Sequence, residues 1–337
     1  MDRYVAELAP APAAILDATG QPIQGQFAGR CAAIDWSQLP ADLRRSALWR
    51  RLHHKRWQYI GVAGADCFIG CAIVDVGWTN TAFAYLFDRR QGRVVAGVSR
   101  DGLPGVTARV ADVPATGAAS RFSWLAASLA FVETAPGRFA LRIDAPGGFS
   151  VALELHDPGT PWLFACGQVA GGVWHSTHKS SALAVSGSAS VGGQRYALDG
   201  AHASLDHSNG LLPRDTQWRW ASAHSPALGF NLQSGYFADQ ENALWLDGRL
   251  IPLGSATFRF DPANTLAVWH IHTDDGLLEL EFRPEGERRE DRNLLVAASR
   301  YVQPVGTFHG RVRAAADAPW RTVSNLLGVA EDHHSRW

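Results

Sequence analysis

A chain of 337 residues, 46% of them hydrophobic, has the apolar content for a sizeable packed core, which excludes a disordered protein. With 31 Lys plus Arg against 32 Asp plus Glu, a formal net charge of −1 and no long basic run, nucleic acid is excluded as the main partner. No apolar stretch approaches the ~18–20 residues of a membrane span, and residues 1–20 lack a basic segment followed by a signal-length apolar run, so a soluble cytoplasmic protein is expected.

Residues 1–54 read as a lead-in. They are Ala/Pro-rich at first, then carry turn signals at Thr19-Gly20, Gly25 and Gly29. Residues 35–57 look helical in part, with Asp42, Leu43, Leu48 and Leu52 at loose helical spacing and Pro40 as an early-turn residue. From Lys55 the pattern changes to apolar, β-rich runs separated by Gly, Asp, Asn and Pro, one strand per roughly 8–15 residues and few helix-period segments. This predicts an all-β fold of antiparallel barrel or sandwich type.

An internal repeat accompanies it. Trp57-x-Tyr59 and Trp218-x-Trp220 lie 161 positions apart, while Gly70 and Gly229, and Ala84–Asp88 and Ala243–Asp247, lie 159 apart. A unit of that size fits one barrel. The expected architecture is two lipocalin-like antiparallel β-barrels packed together behind a short helical lead-in, with modules at 55–165 and 166–337.

Four cysteines, Cys31, Cys67, Cys71 and Cys166, are expected to be buried free thiols. On one strand Cys67 and Cys71 would share a face roughly 13 Å apart, too far for a disulfide. Lysine occurs only at Lys55 and Lys179, so 31 − 2 = 29 of the basic residues are Arg. The two lysines mark places where a compact ammonium is wanted, or are chance survivors of an Arg-rich coding bias.

The region from Trp174 to Trp220 combines four histidines, Lys179 and three tryptophans, the mixture of aromatics and titratable groups that a ligand pocket needs. Within it, Asp206-His207 reads as a carboxylate orienting an imidazole for acid/base work, or as a polar turn leading into Asn209-Gly210. His175, His178, Lys179, Arg214, Trp218 and Trp220 are candidate ligand contacts. Upstream, alternation places Lys55, Trp57 and Tyr59 on one strand face, a lysine among aromatics suited to a polar ligand head or a cation–π contact, or a snorkelling strand-end residue. Glu241-Asn242 begins a further strand, where a carboxylate at a barrel mouth would be desolvated and its pKa raised, while Asp247-Gly248 reads as a hairpin turn. Asp75, inside an apolar strand, is another candidate acid. No metal is expected: His175 and His178 fall on opposite strand faces and no compact His/Cys motif occurs. The terminal Glu331-Asp332-His333-His334-Ser335-Arg336-Trp337 looks docked, plugging a barrel or lining its mouth.

Lys55-Arg56-Trp57-x-Tyr59, Asp75, Trp218-x-Trp220, Glu241-Asn242-Ala243-Leu244 with Asp247-Gly248, and the terminal motif together resemble the bacterial family grouped as domain of unknown function 2804, from about Lys55 onward. That resemblance implies no chemistry. More distantly, the double-barrel pattern looks like the lipocalin-like pairs that include carotenoid 1,2-hydratases, whose members work on apolar substrates in deep aromatic pockets without a metal or organic cofactor; a fold alone does not fix a function.

The expected function is a cofactor-independent enzyme acting on a bulky, largely apolar small molecule by proton transfer, as in hydration, cyclisation or isomerisation. Asp206, His207, Glu241 and Asp75 are the catalytic candidates; Lys55, Trp57, Tyr59, His175, His178, Lys179, Arg214, Trp218, Trp220 and Asn242 are the ligand-binding ones. A carrier for an apolar ligand is the second reading, and a two-carboxylate glycoside hydrolase the third. Oligomeric state is not legible.

Overall fold

The computed structural model describes residues 7–293 and 298–337. Its strands form two antiparallel sheets, one of fifteen strands and one of nine. Helical structure among the described residues is a 3-10 turn at Trp36–Gln38 and a helix at Ala47–His53, which the Ser46 hydroxyl caps by accepting the N–H of Trp49.

Period-2 patterning builds the first sheet. In Phe149–His156 the apolar Phe149, Val151, Leu153 and Leu155 are buried while Ala152, Glu154 and His156 face water. Its path begins with the meander Arg93–Gly102, Asn80–Asp88, Cys67–Asp75 and His54–Ala63, and continues through His202–Leu211, Leu183–Val191 and Phe149–His156 to Ala108–Arg109. That last strand curls back against Cys67–Asp75, so the sheet is a nearly closed barrel. A core of Ile60, Ile69, Phe122, Leu141, Leu153 and neighbours fills it. Cys67 and Cys71 belong to that core, and all four cysteines are buried and free.

One strand forks. The N-terminal end of His202–Leu211 pairs with Leu183–Val191, and its C-terminal part pairs with Trp174–Lys179, which carries Leu163–Gln168 and then Gly25–Ala28 on its far side. The lead-in therefore contributes a strand to the first sheet. Residues 166–211, placed with the second module from the sequence, also hydrogen-bond in the first sheet, and the change of sheet falls between Leu211 and Asp215. The physical reason is non-local pairing: His202–Leu211 zips along His54–Ala63, with Asp206 opposite Tyr59.

The second sheet repeats the plan as a half-barrel. A meander of Arg249–Pro252, Ala243–Leu246, Leu228–Gly235 and Asp215–His224 is followed by the unit's last strand, Arg321–Arg336. The residue pairs at the 159 offset occupy equivalent strands of the two meanders, and both orders have the first strand of the unit beside the last. Asp247 and Gly248 form the expected two-residue hairpin turn, with φ of 50° and 78°. Asn209-Gly210 is not a turn; it lies within His202–Leu211.

The two sheets pack through an apolar seam of Tyr59, Phe68, Tyr85, Phe87, Trp220, Val305 and Val329. Arg89 clasps Glu285 across it through two hydrogen bonds of 2.8 and 2.6 Å. No helix among the described residues is long and apolar enough to cross a membrane.

Candidate functional site

At one end the seam opens into a cavity of about 100 Å³ that opens to solvent. Trp57, Tyr59, Phe83, Lys179 and Asp206 reach it from the first sheet. Trp218, Trp220, Gln233, Tyr236, Glu241, Tyr301, Glu331, His333 and Trp337 reach it from the second. The site lies between the barrels and is complete in neither.

Its polar centre is one ammonium between two carboxylates. The fork in the first sheet sets Lys179 directly opposite Asp206, and Lys179 Nζ lies 2.7 Å from Asp206 Oδ2 and 3.2 Å from Glu241 Oε2. Asp206 Oδ1 also accepts weak hydrogen bonds from Thr177 (3.4 Å) and Ser208 (3.3 Å). Glu241 sits in the turn that precedes Ala243–Leu246 rather than on the strand itself. Its Oε2, though in ionic contact with Lys179, has no aligned hydrogen-bond donor in the protein. Burial pulls the Lys179 pKa down, but the charges of Asp206 and Glu241 outweigh it and hold the ammonium above its ordinary value. Burial raises the Glu241 carboxyl; Lys179 opposes that and the negative charge of Asp206 adds to it. One cation thus faces two acids. Asp206 has the shorter contact with Lys179, and burial raises Glu241.

Around this centre His175 stacks on Trp57 at 5.6 Å and meets Phe237 edge-on at 4.6 Å. Its Nε2 is 3.4 Å from the Tyr236 hydroxyl. Burial first, and then Lys179, push this imidazole well below its ordinary pKa, so it is neutral. At the other end, Glu331 takes the Trp218 indole N–H at 2.9 Å and the Gln303 amide at 2.7 Å, with His333 Nδ1 3.2 Å away. His333 Nε2 faces the Ser335 hydroxyl at 2.7 Å. Alternation along the last strand turns Glu331, His333 and Trp337 to the cavity. The terminal motif thus lines this inter-barrel space.

The structure brings Asp206, Glu241, Lys179, Trp57, Tyr59, Trp218 and Trp220 together, with His175 behind Trp57. Other candidates lie elsewhere. His207 is one residue from Asp206 and so faces the opposite side of the strand, where Nε2 contacts the Ala111 carbonyl at 2.8 Å; the Asp–His pairing is corrected. His178 is likewise turned away, with Nε2 accepting the Cys31 N–H at 3.1 Å. Asp75 forms an outer ion pair with Arg56 at 2.6 Å and accepts the Gly77 N–H, outside the cavity. Lys55 is buried, but its ammonium donates to the Leu52 and Val76 carbonyls at 2.7 and 2.9 Å beneath the Trp337 ring. Burial lowers its pKa to about 7 against the pull of Asp75. It anchors backbone rather than ligand. Asn242 is spent on the Gly254 carbonyl and the Gln233 N–H, and Arg214 lies outside the cavity wall, its carbonyl taking the Trp337 N–H. Among the described residues no group of three or more His, Cys, Asp or Glu is placed to hold a metal ion.

Gln233, Tyr236, Tyr301 and Phe83 were missed from sequence. The available signal was Gln233, a polar residue beside the apolar Phe230 and Leu232 in Leu228–Gly235 and the cross-strand partner of Trp220.

The sequence profile of the family described as Domain of unknown function (DUF2804) matches residues 7–337. No curated protein matches in sequence. Among solved structures, an AttH-type protein from Nitrosomonas europaea is 16% identical, with a TM-score of 0.53 over 88% of this chain and 95% of its own. CghA, solved with Sch210972, is 12% identical, with a TM-score of 0.59 over 84% of this chain and 88% of its own. Kievitone hydratase from Nectria haematococca is 10% identical, with a TM-score of 0.47 over 98% of each chain. The likenesses to the AttH-type protein and to CghA describe the two-barrel fold.

Proposed function

We propose that this chain, which belongs to the DUF2804 family, is an enzyme that moves a proton to and from a bulky, largely apolar small molecule held between its two barrels. The observation that carries the reading is the Lys179–Asp206–Glu241 cluster set into an aromatic wall. A buried carboxyl with a raised pKa is a proton donor near neutral pH. Glu241 gives its proton to an unsaturated carbon or a carbonyl oxygen of the substrate. The faces of Trp57, Trp218 and Trp220 stabilise the positive charge that develops. Water adds, an internal nucleophile closes a ring, or a neighbouring C–H is lost, and in each case a proton returns to the Glu241 carboxylate. Lys179 pairs with Asp206 and positions Glu241. The cluster needs no metal or organic cofactor for this step.

A glycosidase fits less well, because Asp206 and Glu241 are tied to one ammonium and Glu331, the third carboxylate of the wall, is taken up by the Trp218 and Gln303 N–H groups. A carrier would use the same aromatic wall and would not need the acid.

Native mass spectrometry of protein from its own host identifies any retained ligand, and incubation of that ligand in D2O reads the chemistry. The wild type is expected to place deuterium on the product, with Glu241→Gln binding the ligand but losing exchange by a hundredfold or more, the scale of general acid catalysis. Unchanged exchange in Glu241→Gln overturns the assignment of the acid, and no exchange in the wild type favours the carrier.

A further inference from the structure

The polar atoms in the cavity wall are not all accounted for by the protein. Gln233 is 1% exposed, lines the cavity, and neither Nε2 nor Oε1 has a hydrogen-bond partner. The hydroxyls of Tyr59 and Tyr301, also in the wall and nearly as buried, have Tyr85 and Arg288 as neighbours, so the Gln233 amide is the group left without a partner. Its neighbour Leu232 turns to the barrel core, so Gln233 faces the cavity. Its backbone N–H goes to Asn242 Oδ1 at 2.6 Å, the residue after Glu241. Water can satisfy these atoms while the cavity is empty. A ligand that expels the water must replace its bonds or leave buried donors and acceptors unpaired.

We propose that the molecule this cavity takes is oxygenated: an aromatic or polyunsaturated skeleton bearing a hydroxyl or carbonyl oxygen that the Gln233 amide engages, and not a hydrocarbon. The inference rests on the reading that the cavity binds a bulky, largely apolar molecule, and it narrows the substrate class. Gln233 offers a donor and an acceptor together, and the two tyrosine hydroxyls can do either, so the wall accepts hydroxyl and carbonyl alike. The oxygen is held at the Glu241 end. The apolar remainder lies on Trp57, Trp218 and Phe83.

Equilibrium dialysis of the intact chain with 2-naphthol and with naphthalene tests this. Naphthalene leaves water more readily, so a bare apolar cavity prefers it. The wild type is expected to bind 2-naphthol at least tenfold more tightly, the effect of one replaced buried hydrogen bond. Gln233→Leu is expected to bring the ratio to near one or below, by weakening 2-naphthol and strengthening naphthalene; Tyr59→Phe shifts it less. Equal or tighter binding of naphthalene by the wild type overturns the inference and leaves the apolar cavity standing. A tenfold preference that survives unchanged in Gln233→Leu also overturns it. Binding of neither compound sinks both this inference and the apolar-ligand reading.

Discussion

Replacing Lys179 by Met removes the cation that contacts both Asp206 and Glu241. The side chains of Lys179, Asp206 and Glu241 are 4%, 14% and 3% exposed. At an effective dielectric of about 20, contacts of 2.7 and 3.2 Å correspond to about 6 and about 5 kcal/mol of attraction, most of it offset by desolvation. Breaking a buried pair by deleting one partner costs about 3–5 kcal/mol, and two orphaned carboxylates place this variant at the upper end. That is a loss of about 10 °C in Tm at pH 7. Glu241→Gln, in contrast, leaves the 2.7 Å Lys179–Asp206 pair neutral and intact, with an expected change within about 1 kcal/mol. Acidity separates the two further. In Lys179→Met the Glu241 carboxyl loses the ammonium that opposes its upward shift, so the folded state takes up a proton first, and the deficit seen at pH 7 shrinks as pH falls toward about 4–5. The raised carboxyl of Glu241 acts in the same direction in the wild type: its contribution is fully present below its unfolded value and is lost as pH rises through the folded one. Chemical denaturation of both variants between pH 4.5 and 8 measures this. Equal destabilisation by Glu241→Gln and Lys179→Met would refute the placement of the proton on Glu241, because it would show that Lys179 needs both acids ionised.

Two further substitutions test the frame around the cavity. Gly70→Ala would set a Cβ 2.5 Å from the ring of Tyr85, its cross-strand partner, and push that tyrosine off Gln303 and so disturb the support of Glu331; a loss of about 1–3 kcal/mol in urea unfolding is expected, and an unchanged midpoint would show that the ring shifts freely. Asp75→Asn loosens a half-exposed Arg56 contact outside the cavity and is expected to cost about 1 kcal/mol or less, with 2-naphthol affinity unchanged by dialysis; weakened binding would return Asp75 to the site.

How much of this was legible depended on whether the signal was local. Alternation in runs such as Phe149–His156 marks strands wherever one face is buried, and Asp247-Gly248 announces its hairpin because only that turn wants two positive φ values. Lys179 stood out as one of two lysines, Asp206 as a carboxylate beside an imidazole, and Glu241 as a carboxylate at the start of a strand. The same alternation argues against linking Asp206 with His207, since neighbours on a strand face opposite ways. What was not legible is pairing at a distance. The fork that sets Lys179 opposite Asp206, and the zipper between His54–Ala63 and His202–Leu211, join segments whose sequences say nothing about one another. Tyr236 and Tyr301 look like ordinary strand and turn residues until the second sheet is laid on the first.

The shared strand order explains where the cavity arises. Each unit begins with a strand that pairs with the unit's own last strand, His54–Ala63 with His202–Leu211 and Asp215–His224 with Arg321–Arg336. Those four strands face one another across the seam, where Tyr59 of one leading strand meets Trp220 of the other edge-on at 5.4 Å. Each barrel has its own apolar core. The space left for chemistry is where two outer faces meet, and each face supplies half of what is needed. Lys179 and Asp206 come from the first sheet, Glu241 and Gln233 from the second. The acid and its counter-ion are therefore brought to 3.2 Å only by the packing of one sheet on the other, and the charge state of Glu241 is a property of that packing. A change in the seam far from the cavity, by moving Glu241 relative to Lys179, would alter the acid without touching it.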